Sequence, residues 1–172
     1  YRVSCGELSF NIEDSKPMVI LCCDSKLPDV LKAVEIAEHT PKRIIVVGGK
    51  TSGDIISYDD YVKDASEEEP PFTCEYNIYD ETTRLYTSGT TGRPKGVSIT
   101  SINEVLSAHD VMIHFPMSYK DVTMNTTPWF HRGGLHCAGP CVVFYAGASL
   151  VIQGKFDALM TLKHVWKYKI TF

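Results

Sequence analysis

"RLYTSGTTGRPKGVSIT", residues 84–100, runs from a short apolar lead through hydroxyls and glycines to Pro-Lys-Gly and then a second alternating segment. RLY reads as the end of one strand and GVSIT (96–100) as the next, so the residues between them form a connecting loop. Thr87, Ser88, Thr90 and Thr91 offer hydroxyl donors, Gly89, Gly92 and Gly96 allow backbone amides to converge, and Lys95 adds a point charge beside Pro94. Such a loop is equipped to cradle a polyanion, and the same composition also describes a flexible Ser/Thr/Gly turn. The Walker form fails: it needs four residues between two glycines, then Lys and a hydroxyl residue. Here Gly92 is followed by Arg93 and Pro94, and Lys95 by Gly96.

Outward from the loop, apolar strand patterns alternate with helical ones, which predicts an α/β fold of mostly parallel sheets flanked by helices. MVILCC (18–23) and RIIVVGG (43–49) bracket LPDVLKAVEIAEH, in which Val30, Ala33, Val34 and Ala37 recur at helical spacing: one βαβ unit. DASEEEPP (64–71) joins an acidic run to two prolines and reads as exposed connection rather than binding site. The expected organisation is a partial βαβ subdomain over 1–63, an exposed linker over 64–80, and a phosphate-loop and pocket subdomain over 81–172. After GVSIT, Ser101 and Glu104 are expected to form a capping box, with Ile102, Val105, Leu106, His109, Met112 and Ile113 on one helical face. SLVIQ, FDALMTLKHVWKYK and ITF repeat the order strand, helix, strand. The abrupt start of residues 1–12 and the strand cut short at ITF lead us to expect an internal fragment, whose open edges invite self-association.

Composition narrows the class. The 172 residues are 44% hydrophobic with a formal net charge of −4, and their Lys and Arg are scattered, which argues against a nucleic-acid surface. No apolar run approaches the roughly 18 residues of a membrane span, and no signal peptide is recognisable, so the expected compartment is the cytosol. The six cysteines include an adjacent pair, Cys22–Cys23, and no paired CxxC units; they are expected to be reduced core thiols. A metal set of His131, His136, Cys137 and Cys141 has one helical i, i+4 spacing and no second Cys pair, weak grounds for zinc.

The string Tyr86 to Val97, YTSGTTGRPKGV, closely resembles the phosphate-binding signature of the adenylate-forming superfamily, and within it the acyl-CoA synthetases. GELSFNIEDSKPMVILCCDSKLPDVLKAV, TTPWFHRGGL and KFDALMTLKHVWKYKITF look like consecutive pieces of the same large N-terminal domain. The resemblance implies activation of a carboxylic acid by ATP to an acyl-adenylate and transfer to a thiol, usually coenzyme A. It further implies that Thr87, Ser88, Gly89, Thr90, Thr91, Gly92 and Lys95 line the β- and γ-phosphates, with Thr87 also near Mg²⁺. Arg93 falls at a variable position. Positioned donors and a lysine suit the departure of pyrophosphate, whose growing charge must be stabilised.

PWFHRGGL resembles the family's acyl-pocket signature, which implies His131 beside the substrate carboxylate and Trp129 and Phe130 in the pocket wall. On residue type alone His131 could equally be a hydrogen-bonded structural histidine. Peptide-synthetase domains typically carry Asp after the Phe; Phe130-His131 here favours a plain organic acid. The family's aromatic-Gly-x-Thr-Glu and Thr-Gly-Asp segments and its late catalytic lysine have no counterpart in residues 1–172, so this stretch alone is expected not to catalyse the reaction. The alternative is a short phosphate-binding or interaction module without catalysis.

Overall fold

The computed structural model describes residues 3–49, 53, 55–71, 73–87 and 93–172. Ser4 opens helix α1 (Cys5–Ser15): its N–H donates to Glu7 Oε2 at 2.9 Å while its hydroxyl accepts the Glu7 N–H at 3.3 Å. Hydrophobic periodicity does not announce this helix; the Ser4-x-x-Glu7 box does. Strand β1 (Val19–Cys23) leads through a short 3-10 turn into α2 (Leu27–Ile36), whose first turn holds Pro28, where a missing N–H costs no helical bond. β2 (Arg43–Val47) returns parallel to β1 with Val19 opposite Arg43, and β3 (Ile55–Ser57) continues the parallel sheet with Ile55 opposite Ile44. The expected βαβ unit is therefore present. Val30 and Ala33 of α2 are buried with Ile12, Ile45 and Val46, whereas Ala37 has left the helix as its extended C-cap. A short helix, α3 (Tyr58–Val62), follows, and residues 64–71 are exposed and outside any element.

The chain divides into two compact units, residues 1–74 with 86–96 and residues 75–85 with 97–172. Strands β4 (Glu81–Thr87) and β5 (Lys95–Thr100) are hydrogen-bonded neighbours in a two-stranded sheet. Helix α4 (Ser101–His114), strand β6 (Val122–Met124), helices α5 (Arg132–His136) and α6 (Pro140–Ala146), strand β7 (Ser149–Val151) and helix α7 (Ala158–Tyr168) complete the second unit. β6 and β7 pair in parallel, Val122 opposite Ser149. Its core is Ala108, Met117, Val142 and Val143, with Val111, Met112, Ala146, Ala148 and Leu150 packed around them. No helix among the described residues is long and apolar enough to cross a membrane.

Four local expectations need correction. The cap of α4 is Thr100, whose N–H and hydroxyl both reach Asn103 Oδ1, at 3.1 and 2.8 Å, one residue earlier than the Ser101–Glu104 box. Along α4, Val105, Leu106, His109 and Ile113 are exposed and the buried position is Ala108, because α4 meets α5 and α6 across this small side chain. Residues 170–172 form no assigned strand, although Thr171 N–H donates to Val122 O at 2.8 Å and Met124 N–H to Phe172 O at 3.3 Å. The cysteines are free thiols, but Cys23, Cys74 and Cys137 are exposed and none lies in the core.

Released from the cap, Glu104 turns inward. Its Oε2 accepts the Cys141 thiol at 3.2 Å and lies 2.5 Å from His136 Nε2, so α4, α5 and α6 meet on one carboxylate oxygen. Burial alone would raise the Glu104 carboxyl, but hydrogen bonds from Thr83 and Cys141 and the charge of His136 outweigh it and hold the group below the ordinary carboxylate value. Burial, reinforced by the Glu104 carboxylate, pushes the Cys141 thiol up to about 12.

On β4, Arg84 Nε and Nη2 donate to the two oxygens of Glu81 at 2.6 and 2.9 Å. This fork, together with a hydrogen bond from Ser98, brings the Glu81 carboxyl down to about 2. A carboxyl lowered by folding adds stability above its unfolded pKa and loses it as pH falls through its folded value. The stability difference between the native protein and Glu81→Gln, read from urea midpoints, is therefore expected to be constant above about pH 5 and to shrink toward pH 2. A difference independent of pH over that window contradicts the ionised fork.

Candidate active site

The loop opening the sequence is framed by its strands. Thr87 is the last residue of β4 and Lys95 the first of β5, and both are exposed; Ser88, Gly89, Thr90, Thr91 and Gly92 lie outside the described residues. The residue before Thr87 is anchored: the Tyr86 hydroxyl donates to Asp14 Oδ2 at 2.7 Å, near the end of α1. A cavity of about 960 Å³ in the same unit is bordered by Arg93 and Pro94 and also by Glu7, Glu13, Asp14 and Glu38. Four carboxylates repel a polyphosphate more than Lys16 and Arg93 attract one, so this cavity does not suit a polyphosphate.

In the second unit PWFHRGGL is a turn that feeds α5. His131 is the N-cap of α5, and its Nδ1 accepts the Gly133 N–H at 3.1 Å. An accepting Nδ1 places the proton of the neutral ring on Nε2, which is thus the nitrogen able to donate outward. His131 and Phe130 are exposed and Trp129 is half-buried, so the three side chains stand at the surface of their unit.

The turn is held by a residue that sequence reasoning missed. Asn125 Nδ2 donates to Gly134 O at 2.9 Å and to Cys137 O at 2.6 Å, while its Oδ1 accepts the Thr127 N–H at 2.7 Å. The Asn-Thr-Thr-Pro run just before Trp129 was the available signal, since Asn two residues before an N–H favours this local turn. Arg132 Nη2 donates to Ser107 Oγ at 2.6 Å and ties α5 to α4. His109 and His164 lie on α4 and α7. His109 Nδ1 is 3.2 Å from the Tyr145 hydroxyl, and the His164 ring packs 5.5 Å from Tyr168.

The profile of the family described as AMP-binding enzyme matches residues 2–172. A 2-succinylbenzoate–CoA ligase of Bacillus licheniformis is 35% identical over 104 residues, covering 59% of this chain and 21% of that protein. Among solved structures, ATP-bound MatB from Rhodopseudomonas palustris superposes with a TM-score of 0.75 at 26% identity, covering 96% of this chain and 31% of that one. The anthranilate CoA ligase AuaEII in complex with anthranoyl-AMP shares the fold, with a TM-score of 0.85 at 20% identity over 99% of this chain and 33% of that one. The chain thus spans about a fifth to a third of these three proteins.

Gly134 lets the turn close. A Cβ at this position would overlap the carbonyl oxygens of Thr127 and Pro128, whereas at Gly154 it would meet nothing within 4 Å. Gly134→Ala is expected to lower unfolding free energy by about 1–3 kcal/mol, and Gly154→Ala to stay within about 0.5 kcal/mol of the parent. Chemical denaturation of both variants checks the contrast; equal stability would mean that the turn tolerates displacement.

Proposed function

Because the chain belongs to the AMP-binding enzyme family, we propose that it serves ATP-dependent, AMP-forming ligation of a carboxylic acid to coenzyme A. The carrying observation is the unbroken string Tyr86–Val97, with Thr87 ending one strand and Lys95 starting its hydrogen-bonded neighbour. The CoA ligases among its relatives support coenzyme A as the acceptor. On this reading residues 1–63 form a βαβ subdomain, 64–80 a connection, and 81–172 the part that carries both motifs.

In the first step a carboxylate oxygen bonds to the α-phosphorus of ATP and the bond to the β-phosphate bridge breaks, its electron pair leaving with pyrophosphate. In the second the coenzyme A sulfur bonds to the acyl carbon, the carbon–oxygen bond to AMP breaks, and the thiol proton is released. The first step builds charge on the leaving group. Thr87, Ser88, Gly89, Thr90, Thr91, Gly92 and Lys95 offer it hydroxyls, backbone N–H groups and an ammonium, the donors that stabilise a developing oxyanion. The exposed Thr87 hydroxyl would serve as an oxygen ligand to a Mg²⁺ ion bound with the nucleotide, which would supply neutralisation of phosphate charge.

His131 Nε2–H is the group that orients the acid, through a hydrogen bond to its carboxylate, and Trp129 and Phe130 form the apolar wall beside it. With His131 and not an acidic residue after Phe130, the site suits a plain organic acid over an α-amino acid. Residues 1–172 alone form no acyl-adenylate, and their exposed Leu159, Leu162 and Trp166 on α7 promote self-association, which sedimentation velocity reads directly.

Replacing Lys95 or Thr87 by Ala in the full-length protein is expected to slow acid-dependent ATP–pyrophosphate exchange about 100-fold or more, the loss of one oriented oxyanion donor. Unchanged exchange in both variants rules out the cradle. His131→Ala is expected to change the ranking of acids in a substrate panel while leaving the KM for ATP within a few-fold. A uniform loss across acids with a lowered Tm would instead make His131 a structural cap.

A further inference from the structure

Away from the phosphate loop and from His131, three side chains with metal-binding chemistry converge in the second unit. Glu104 of α4, His136 of α5 and Cys141 of α6 each place a ligand atom within 4.8 Å of the other two. The weak four-residue set suggested by sequence is thereby revised: His131 Nδ1 is engaged by Gly133 N–H and Cys137 is exposed, while Glu104 joins His136 and Cys141. The three come from three helices, so no spacing rule could have found them together.

The protonation pattern is the telling feature. His136 is 3% exposed, and its Nδ1 lies 3.1 Å from the Arg132 carbonyl oxygen. A carbonyl only accepts, so Nδ1 carries the proton and the neutral ring keeps a lone pair on Nε2. A backbone carbonyl on the far ring nitrogen is how metal-binding histidines are commonly oriented. Nε2 faces Glu104 Oε2 at 2.5 Å, as an ion pair when the ring is protonated and as a second ligand atom beside the carboxylate when it is neutral. With the neutral ring, these two acceptors face each other beside the Cys141 thiol, and a metal cation can take the place that the proton holds in the ion pair.

We propose that Glu104, His136 and Cys141 form a binding site for a divalent transition metal of the zinc class. One oxygen, one nitrogen and one sulfur ligand match zinc, and three protein ligands leave a fourth position open. Ligand atoms around a tetrahedral zinc ion with bonds of about 2.0–2.3 Å stand about 3.3–3.6 Å apart. Sγ–Oε2 at 3.2 Å is already near that spacing, and Oε2 must withdraw from Nε2 by about 0.8–1.1 Å. Glu104 and Cys141 also border an open cleft of about 340 Å³ with Thr82, Thr83, Phe144 and Tyr145, which provides the entry path and room for a fourth ligand. On binding, the Cys141 sulfur–proton bond breaks, the proton passes to solvent, and the thiolate bonds the metal. No electron changes hands. The bound ion would clamp α4, α5 and α6 together, and α5 is the helix that His131 caps.

The test is titration of chelator-treated full-length protein with Co²⁺ and, against a chromogenic competitor, with Zn²⁺. One equivalent is expected to bind, with thiolate-to-cobalt charge-transfer absorption and the visible bands of a tetrahedral ion. Cys141→Ser should remove the charge-transfer band and weaken zinc by at least about 100-fold, the upper end of the loss caused by an outer-shell partner. Cys137→Ser should retain both. Zinc at a hundredfold excess over its Kd should shift the folding equilibrium of the wild type about 100-fold and raise its Tm accordingly. A wild-type protein without stoichiometric cobalt or zinc overturns the proposal and leaves an imidazolium–carboxylate pair in the pocket. Retention of the charge-transfer band in Cys141→Ser overturns it too, because the sulfur would then come from another cysteine.

Discussion

A single carboxylate oxygen organises the second unit. Glu104 Oε2 is shared by the His136 ring and the Cys141 thiol, and the helices that bring these groups, α4, α5 and α6, also bury Ala108, Val142 and Val143. Taking an ionisable group out of water is costly, so such a cluster persists only where packing and partners over-determine its position. Here Thr83 and Cys141 supply hydrogen bonds, and the charge of His136 helps to hold the carboxylate ionised. The start of α5 is tied to its neighbours as well. His131 caps that helix, Arg132 reaches Ser107 on α4, and Asn125 pins the carbonyls of Gly134 and Cys137 from outside.

The first unit solves a different problem with different means. Its parallel sheet is built from β-branched strands whose side chains pack well on a pleated surface, and α1 and α2 pack together, with Ile12, Val30 and Ala33 among the buried residues. The ends of the proposed phosphate loop are carried on β4 and β5, and the Tyr86 hydroxyl fastens the last turn of α1 to the end of β4. Donors at fixed strand ends are worth more to a developing anion than donors on a free chain, because their orientation is established before the charge appears.

How much could be read in advance differs from one part to another. The β1–α2–β2 unit, β5 and α7 were legible because runs of β-branched residues and 3.6-residue spacing are local signals. α1 was legible only through its cap, and the core side of α4 was misjudged because Ala108, a small residue, marks close helix contact where larger apolar residues elsewhere on the helix remain exposed. Family membership also came from a local signal: twelve consecutive residues whose chemistry makes sense as a unit.

The sequence by itself therefore determined the fold class and the family, since each is encoded in contiguous spacing along the chain. Only the tertiary structure decided what Glu104 does. At the start of α4 it looks like half of a capping box, but Thr100 and Asn103 take that task one residue earlier, which turns the carboxylate toward His136 and Cys141. Those partners lie 32 and 37 residues further along the chain. Their meeting depends on how three helices pack, and no local periodicity carries that information.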